Sequence, residues 1–140
     1  MSTIWDKLGN YLKLNTDGSI NTQLIGSLAN QVPLQVAVSA PGNGTPYTPA
    51  SPMTLSFEIT GTSTSRTTFF EIAGPKGVYQ AHPAYKLGDT TYTPQTTSVR
   101  GSDTTPETWE VDIPANYTFR ARISAVAGGN VSISGSAVAK

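Results

Sequence analysis

Cysteine is absent from this chain of 140 residues. Without a thiol there is no disulfide framework, no cysteine nucleophile and no thiolate zinc site. Histidine occurs once, at His82, so a His-rich metal site is excluded and any Ser-His-Asp relay would have to run through that residue. It lies in "QAHPAY", and no nucleophile-elbow motif occurs anywhere, which reads as a surface-loop histidine. Charge is scarce too: 13% of the residues are charged, and nine basic side chains balance nine acidic ones. With a net charge of zero, no long-range field steers the protein onto nucleic acid or an anionic membrane, and the basic footprint of a nucleic-acid binder is missing. No apolar run is long enough for a helix to insert in a membrane. The start, "MSTIWDKLGNYLKLN", lacks the basic and apolar regions of a secretory signal, so assembly in a cytoplasm is expected.

Cofactor motifs are equally thin. "PGNG" lacks the strand-to-helix context and the Lys-Ser/Thr of a phosphate cradle. Asp89, Asp103 and Glu107 do not have the spacing of a calcium loop. A carboxylate pair could serve a glycosidase, but Glu58, Glu71, Glu110 and Asp112 all fall opposite the apolar positions of strands, where a charge is simply solvated. No catalytic, cofactor-binding or metal-ligating residue is expected, and the protein reads as a non-enzyme.

What is present is alternation. Met53, Leu55, Phe57 and Ile59 alternate with polar residues, as do Thr68, Phe70 and Ile72, then Trp109, Val111 and Ile113, then Tyr117, Phe119, Ala121 and Ile123, then Val131, Ile133, Gly135 and Ala137. Period-two alternation places one set on a buried sheet face. Val32, Leu34, Val36 and Val38 form another such set, with Pro33 marking an edge strand. Val78 to Ala81 is a short strand, "YKLGDTTYT" a hairpin over Gly88-Asp89, and Thr96, Ser98 and Arg100 a polar edge segment. Eight or nine short strands separated by turn signals predict an all-β protein with a single β-sandwich, jelly-roll or immunoglobulin-like.

The C-terminal strands invite a register. A three-residue Pro114-Ala115-Asn116 loop sets Ile113 against Tyr117 and Glu110 against Arg120; a Gly128-Gly129-Asn130 loop sets Ile123 against Gly135. Glu110 then pairs with Arg120 on the outer face, leaving Arg122 opposite Thr108 as a possible ligand contact. Tyr79, Tyr85 and Tyr92 fall in or beside loops, where exposed tyrosines suit a sugar or protein contact.

Residues 1–30 read differently from residues 31–140. Ile4, Trp5, Leu8, Tyr11 and Leu12 would share one helix face, although Gly9 and Asn10 weaken it. The segment is an arm or short helix that packs on its own domain or docks on a partner. "APGNGTPYTPASP", dense in Pro and Gly, is a loop that could separate arm from domain.

"LKLNTDGSINTQLIGS" resembles the N-terminal stretch of accessory structural proteins of tailed bacteriophages, and "TWEVDIPANYTFRARISAVAGGNVSISGSAVAK" is similar to small β-sandwich domains on phage heads and tails. The resemblance implies a non-enzymatic virion protein: a head decoration or head fibre protein, or a tail or baseplate accessory. It implies an arm, residues 1–30, that meets capsid or tail proteins through Trp5, Leu8, Tyr11, Leu12 and Ile20. It also implies a homo-oligomer, with a trimer as the natural unit, assembled in the bacterial host cytoplasm. A module that binds a host-surface glycan or receptor is the alternative.

Overall fold

The computed structural model describes residues 31–98 and 106–140. The expected arm and its contact residues Trp5, Leu8, Tyr11, Leu12 and Ile20 lie outside the described residues. The unit spanning Gln31–Lys140 contains ten strands among the described residues: β1 (Gln31–Val38), β2 (Met53–Thr60), β3 (Ser65–Ala73), β4 (Tyr79–Ala81), β5 (Ala84–Lys86), β6 (Tyr92–Thr93), β7 (Gln95–Ser98), β8 (Glu107–Ile113), β9 (Thr118–Ala127) and β10 (Val131–Ala139). No described residue is helical.

The strands form two antiparallel sheets in a sandwich-like arrangement. One runs β1-β10-β2-β8-β5-β6. In the other, β3 is central, with β9 along one side and β4 and β7 sharing the opposite side. The alternating apolar residues meet between the sheets. Leu55, Phe57, Ile59, Trp109, Val111, Ile113, Val131 and Ile133 from the first close on Phe70, Phe119, Ala121 and Ile123 from the second. Phe70 packs edge-on against Phe57 at 5.3 Å and against Trp109 at 5.1 Å between ring centroids. Edge-to-face pairs of this kind add to the area each ring buries.

Between the sheets sits a polar group as well. The side chain of Arg66 on β3 is 2% exposed and lies 3.6 Å from Glu107 on β8. The other Glu107 oxygen accepts hydrogen bonds from the Thr96 hydroxyl at 2.7 Å and the Trp109 indole N–H at 3.1 Å. A buried charge needs this company, because desolvation would otherwise dominate.

Among the described strands only β3–β4 and β5–β6 are local hairpins. β8 pairs with β2 and β5, whereas β9 pairs with β3 and β10 returns to pair with β1 and β2. The expected β8–β9 and β9–β10 hairpins are therefore corners that carry the chain from one sheet to the other. Glu110 faces Ser56 and Tyr85, not Arg120; Arg120 faces Glu71; Arg122 faces Phe69, not Thr108; and Ile123 faces Thr68, not Gly135. Asn116 and Gly128, both with positive φ, sit in these corners, and such a backbone turns the chain sharply enough to change sheets. Gly135 is needed for a different reason: a Cβ there would collide with the backbone of Ser56 and Phe57 on β2.

Two inward assignments change with the geometry. Tyr117 precedes β9, donates its N–H to Pro114 in the corner at 3.2 Å, and is 38% exposed. In β1, register shifts between Pro33 and Gln35 and again between Gln35 and Val38 turn Val36 outward, 70% exposed, and bury Gln35 in its place. The Gln35 amide donates to the Ala121 carbonyl at 2.8 Å, tying the edge of one sheet to the other.

The Pro- and Gly-rich loop is part of the sandwich. Gly42 and Ile123 exchange backbone hydrogen bonds, as do Tyr47 and Phe119, and the Thr45 N–H donates to Leu34. The loop thus satisfies the free edge of β9, which blunts a site for unwanted strand pairing.

Candidate functional site

Alternation along β3 and β9 sends Phe69, Glu71, Arg120 and Arg122 to the outer face of the smaller sheet. Glu71 lies across from Arg120 and diagonal to Arg122, two pairs along on the same face, so both guanidiniums converge on one carboxylate. Arg122 forks onto it, donating from Nε at 3.1 and 3.2 Å and from Nη2 at 2.8 Å. Arg120 donates from Nε to the Oε1 oxygen at 2.8 Å. The guanidinium of Arg120 stacks on the Tyr79 ring at 3.6 Å, and that of Arg122 lies over Phe69 at 4.7 Å. Planar guanidinium suits both the fork and the stack.

The hydrogen bonds from Arg122 and then Arg120 hold the Glu71 carboxyl below the usual glutamate range, against the upward push of burial. Reciprocally, the bond to Glu71 raises Arg122. Glu71 is therefore not the solvated charge its strand parity implied; its side chain is 15% exposed. Tyr79 and Arg122 share this face, where the Tyr79 ring lies under Arg120 and Arg122 donates to Glu71.

Tyr85 and Tyr92 lie elsewhere. They are cross-strand partners in the β5–β6 hairpin at the end of the larger sheet. Their rings stack at 4.2 Å with 28° between planes, and the residues are 57% and 54% exposed. Beside them a cleft of about 160 Å³ is lined by His82, Pro83, Glu110, Val111 and Asp112. Asp112 accepts from the Thr54 hydroxyl at 2.8 Å and from Lys140 at 3.3 Å; these bonds, the threonine's foremost, lower its pKa. His82 Nε2 lies 2.9 Å from the Asp112 carbonyl oxygen. A carbonyl can only accept, so this nitrogen carries the proton. No described residue bonds the Glu110 carboxylate. The four candidate contacts thus divide: Tyr85 and Tyr92 come together at the cleft, while Tyr79 and Arg122 lie on the opposite sheet. Strand alternation does not reveal Glu110 and His82 as cleft residues, since only the β5–β8 pairing puts Glu110 beside Tyr85.

Among the described residues no three His, Asp or Glu side chains gather as a metal site.

The sequence matches the XepA family model over residues 29–137. The chain belongs to the XepA family. The matched residues begin just before β1 and end within β10, so the arginine face and the tyrosine cleft both fall inside the family's domain. A search of curated proteins finds no match. Two solved structures share the fold. The SPBc2 prophage-derived protein YomS is 19% identical, with a TM-score of 0.66 over 77% of this chain and 91% of its own. The PBSX exported protein XepA is 20% identical, with a TM-score of 0.68 over 76% of this chain. This chain covers only 36% of that XepA chain, about a third of its length.

Proposed function

We propose that this XepA-family protein is a non-enzymatic structural component of a bacteriophage particle. Residues 1–30 form the arm that attaches to capsid or tail proteins, and residues 31–140 form the sandwich carried outward. The observation that carries the reading is family membership together with a prophage-derived relative of the same fold. In this role the protein decorates the head, as decoration or fibre, or serves the tail as an accessory. Its copy number follows the particle's symmetry, with a trimer as the unit. Trp5, Leu8, Tyr11, Leu12 and Ile20 supply the apolar contacts of the arm.

Deleting residues 1–27 tests the attachment. The truncated protein is expected to be missing from purified particles while its circular dichroism stays that of a β-protein. Incorporation without the arm would overturn this assignment. Light scattering of the full chain reads the trimer.

A second reading is a module that binds a host-surface glycan or receptor. The exposed Tyr85–Tyr92 pair favours it, as does a relative described as exported. Particles that lack the protein separate the two: unchanged adsorption to host cells supports decoration, and lost adsorption supports the binding module.

A further inference from the structure

We infer that the cleft formed by Tyr85, Tyr92, His82 and Glu110 is a binding site for one neutral pyranose ring. The inference deepens the second reading above by naming the ligand class.

The chemistry follows from what each wall offers. The two tyrosine rings lie 4.2 Å apart, so nothing fits between them and they cannot cage a quaternary ammonium group, which needs rings facing each other across the ligand. Stacked this way, each ring covers one face of the other and leaves its own outer face open as a flat apolar surface. The C–H face of a pyranose is the ligand surface that matches a flat ring while its hydroxyls point to the side. Those hydroxyls need acceptors beside the rings, and Glu110, which lines the cleft and pairs with Tyr85 from the neighbouring strand β8, supplies a carboxylate bonded to no described residue. An ionised carboxylate accepts hydrogen bonds through both oxygens. His82, also in the lining, has its Nε2 proton committed to the Asp112 carbonyl, which leaves Nδ1 as the ring nitrogen with no described partner.

Size and charge narrow the class. At about 160 Å³ the cleft is well below the roughly 300–1,000 Å³ of a drug-sized site, which limits it to a single ring. Asp112 is neutralised by Lys140, but Glu110 has no counter-ion among the described residues, so uronic acids and phosphorylated sugars are repelled. A shallow site for one ring binds weakly, and a particle carrying many copies gains avidity without new contacts.

The test uses the full-length protein with glucose, galactose and N-acetylglucosamine, and with glucuronic acid, glycerol and choline as controls. Saturation-transfer NMR is expected to label the ring C–H protons of at least one neutral pyranose at about 10 mM, and none of the controls. Tyr92→Ala weakens that binding about tenfold, Tyr92→Phe keeps it within twofold because the ring face is retained, and Glu110→Gln weakens it severalfold. If Tyr92→Ala fails to fold, the phenylalanine and glutamine variants carry the test. Absence of transfer from all three neutral sugars, transfer from choline alone, or binding unchanged in Glu110→Gln and Tyr92→Ala would overturn the site. Host adsorption by particles lacking the protein is read separately, so failure of the cleft and failure of the host-binding role give different results.

Discussion

The outer face of β3 and β9 and the cleft beside β5 and β8 are built from similar parts, a glutamate among aromatic rings and polar neighbours, and they end in opposite states. On the first, Glu71 takes hydrogen bonds from two arginines, and the rings of Tyr79 and Phe69 lie under the guanidiniums. On the second, the half-buried Glu110 carboxylate has no described hydrogen-bond partner, and the Tyr85–Tyr92 stack is more than half exposed. Polar groups that satisfy one another stabilise the fold and have little left for a ligand. Groups that are held in place but unsatisfied add little to stability and can be completed by something that binds. The difference between these regions lies in the partners, not in the residue types.

Breaking the internal pair sets the scale against which the two surface regions are judged. Arg66→Ala removes the cation facing Glu107 inside the sandwich and is expected to cost about 3 kcal/mol, the lower end for a buried pair. Thr96 and Trp109 still bond the Glu107 Oε1 oxygen, which keeps the loss from being larger. A drop in the urea midpoint with an unchanged slope would check it.

Glu71→Gln comes next, at about 2 kcal/mol. The amide offers one acceptor where two guanidiniums need several, and its NH2 meets their N–H groups. Its pH dependence sharpens the comparison. The arginines hold the folded-state pKa of Glu71 below its unfolded value, so its contribution is fully present above the usual glutamate range of about 4 to 4.5. That contribution is lost as pH falls through the lower, folded-state value. The gap in thermal stability between wild type and Glu71→Gln is expected to be constant near neutrality and to close on acidification. A gap that widened in acid would contradict the assignment of Glu71 as the shared acceptor.

The face each strand residue adopts was legible in the sequence, because period-two alternation is a property of one strand alone. Leu55, Phe57, Trp109, Val111, Phe119 and Ile133 are all buried as their alternation requires. Pairing is not a property of one strand. The same alternation in Trp109–Ile113 and Phe119–Ile123 serves a hairpin or two strands in facing sheets equally well, and only the corner at Pro114 to Asn116 decides. The wrong choice there gave Arg120 to Glu110 and hid both regions at once: the arginines lost Glu71, and Glu110 lost Tyr85. Where a strand is bulged, as in β1, or where a residue belongs to a corner, as Tyr117 does, even the face is lost to alternation.

Tyr92→Ala belongs to the other side of the comparison. A cross-strand aromatic pair is worth roughly 0.5–1 kcal/mol, and this one is more than half exposed, so a small loss in thermal midpoint is expected. A loss as large as that of Glu71→Gln would mean that the tyrosines are structural in the way the arginine face is.

The smallest effect is the most discriminating. Glu110→Gln is expected to leave the urea midpoint unchanged, within about 0.5 kcal/mol, as for a site with no described partner to lose. Its cross-strand neighbours Ser56 and Tyr85 carry no charge, and Asp112, two residues along the same face, is paired with Lys140. Neutralising Glu110 therefore breaks no described ion pair or hydrogen bond. The same substitution at Glu71 costs stability in an acid-sensitive way, although both glutamates sit at outward positions of central strands. If the two variants behaved alike, the contrast between a closed polar face and an open one would collapse. If they diverge as expected, Glu110 is a carboxylate that the fold positions without using.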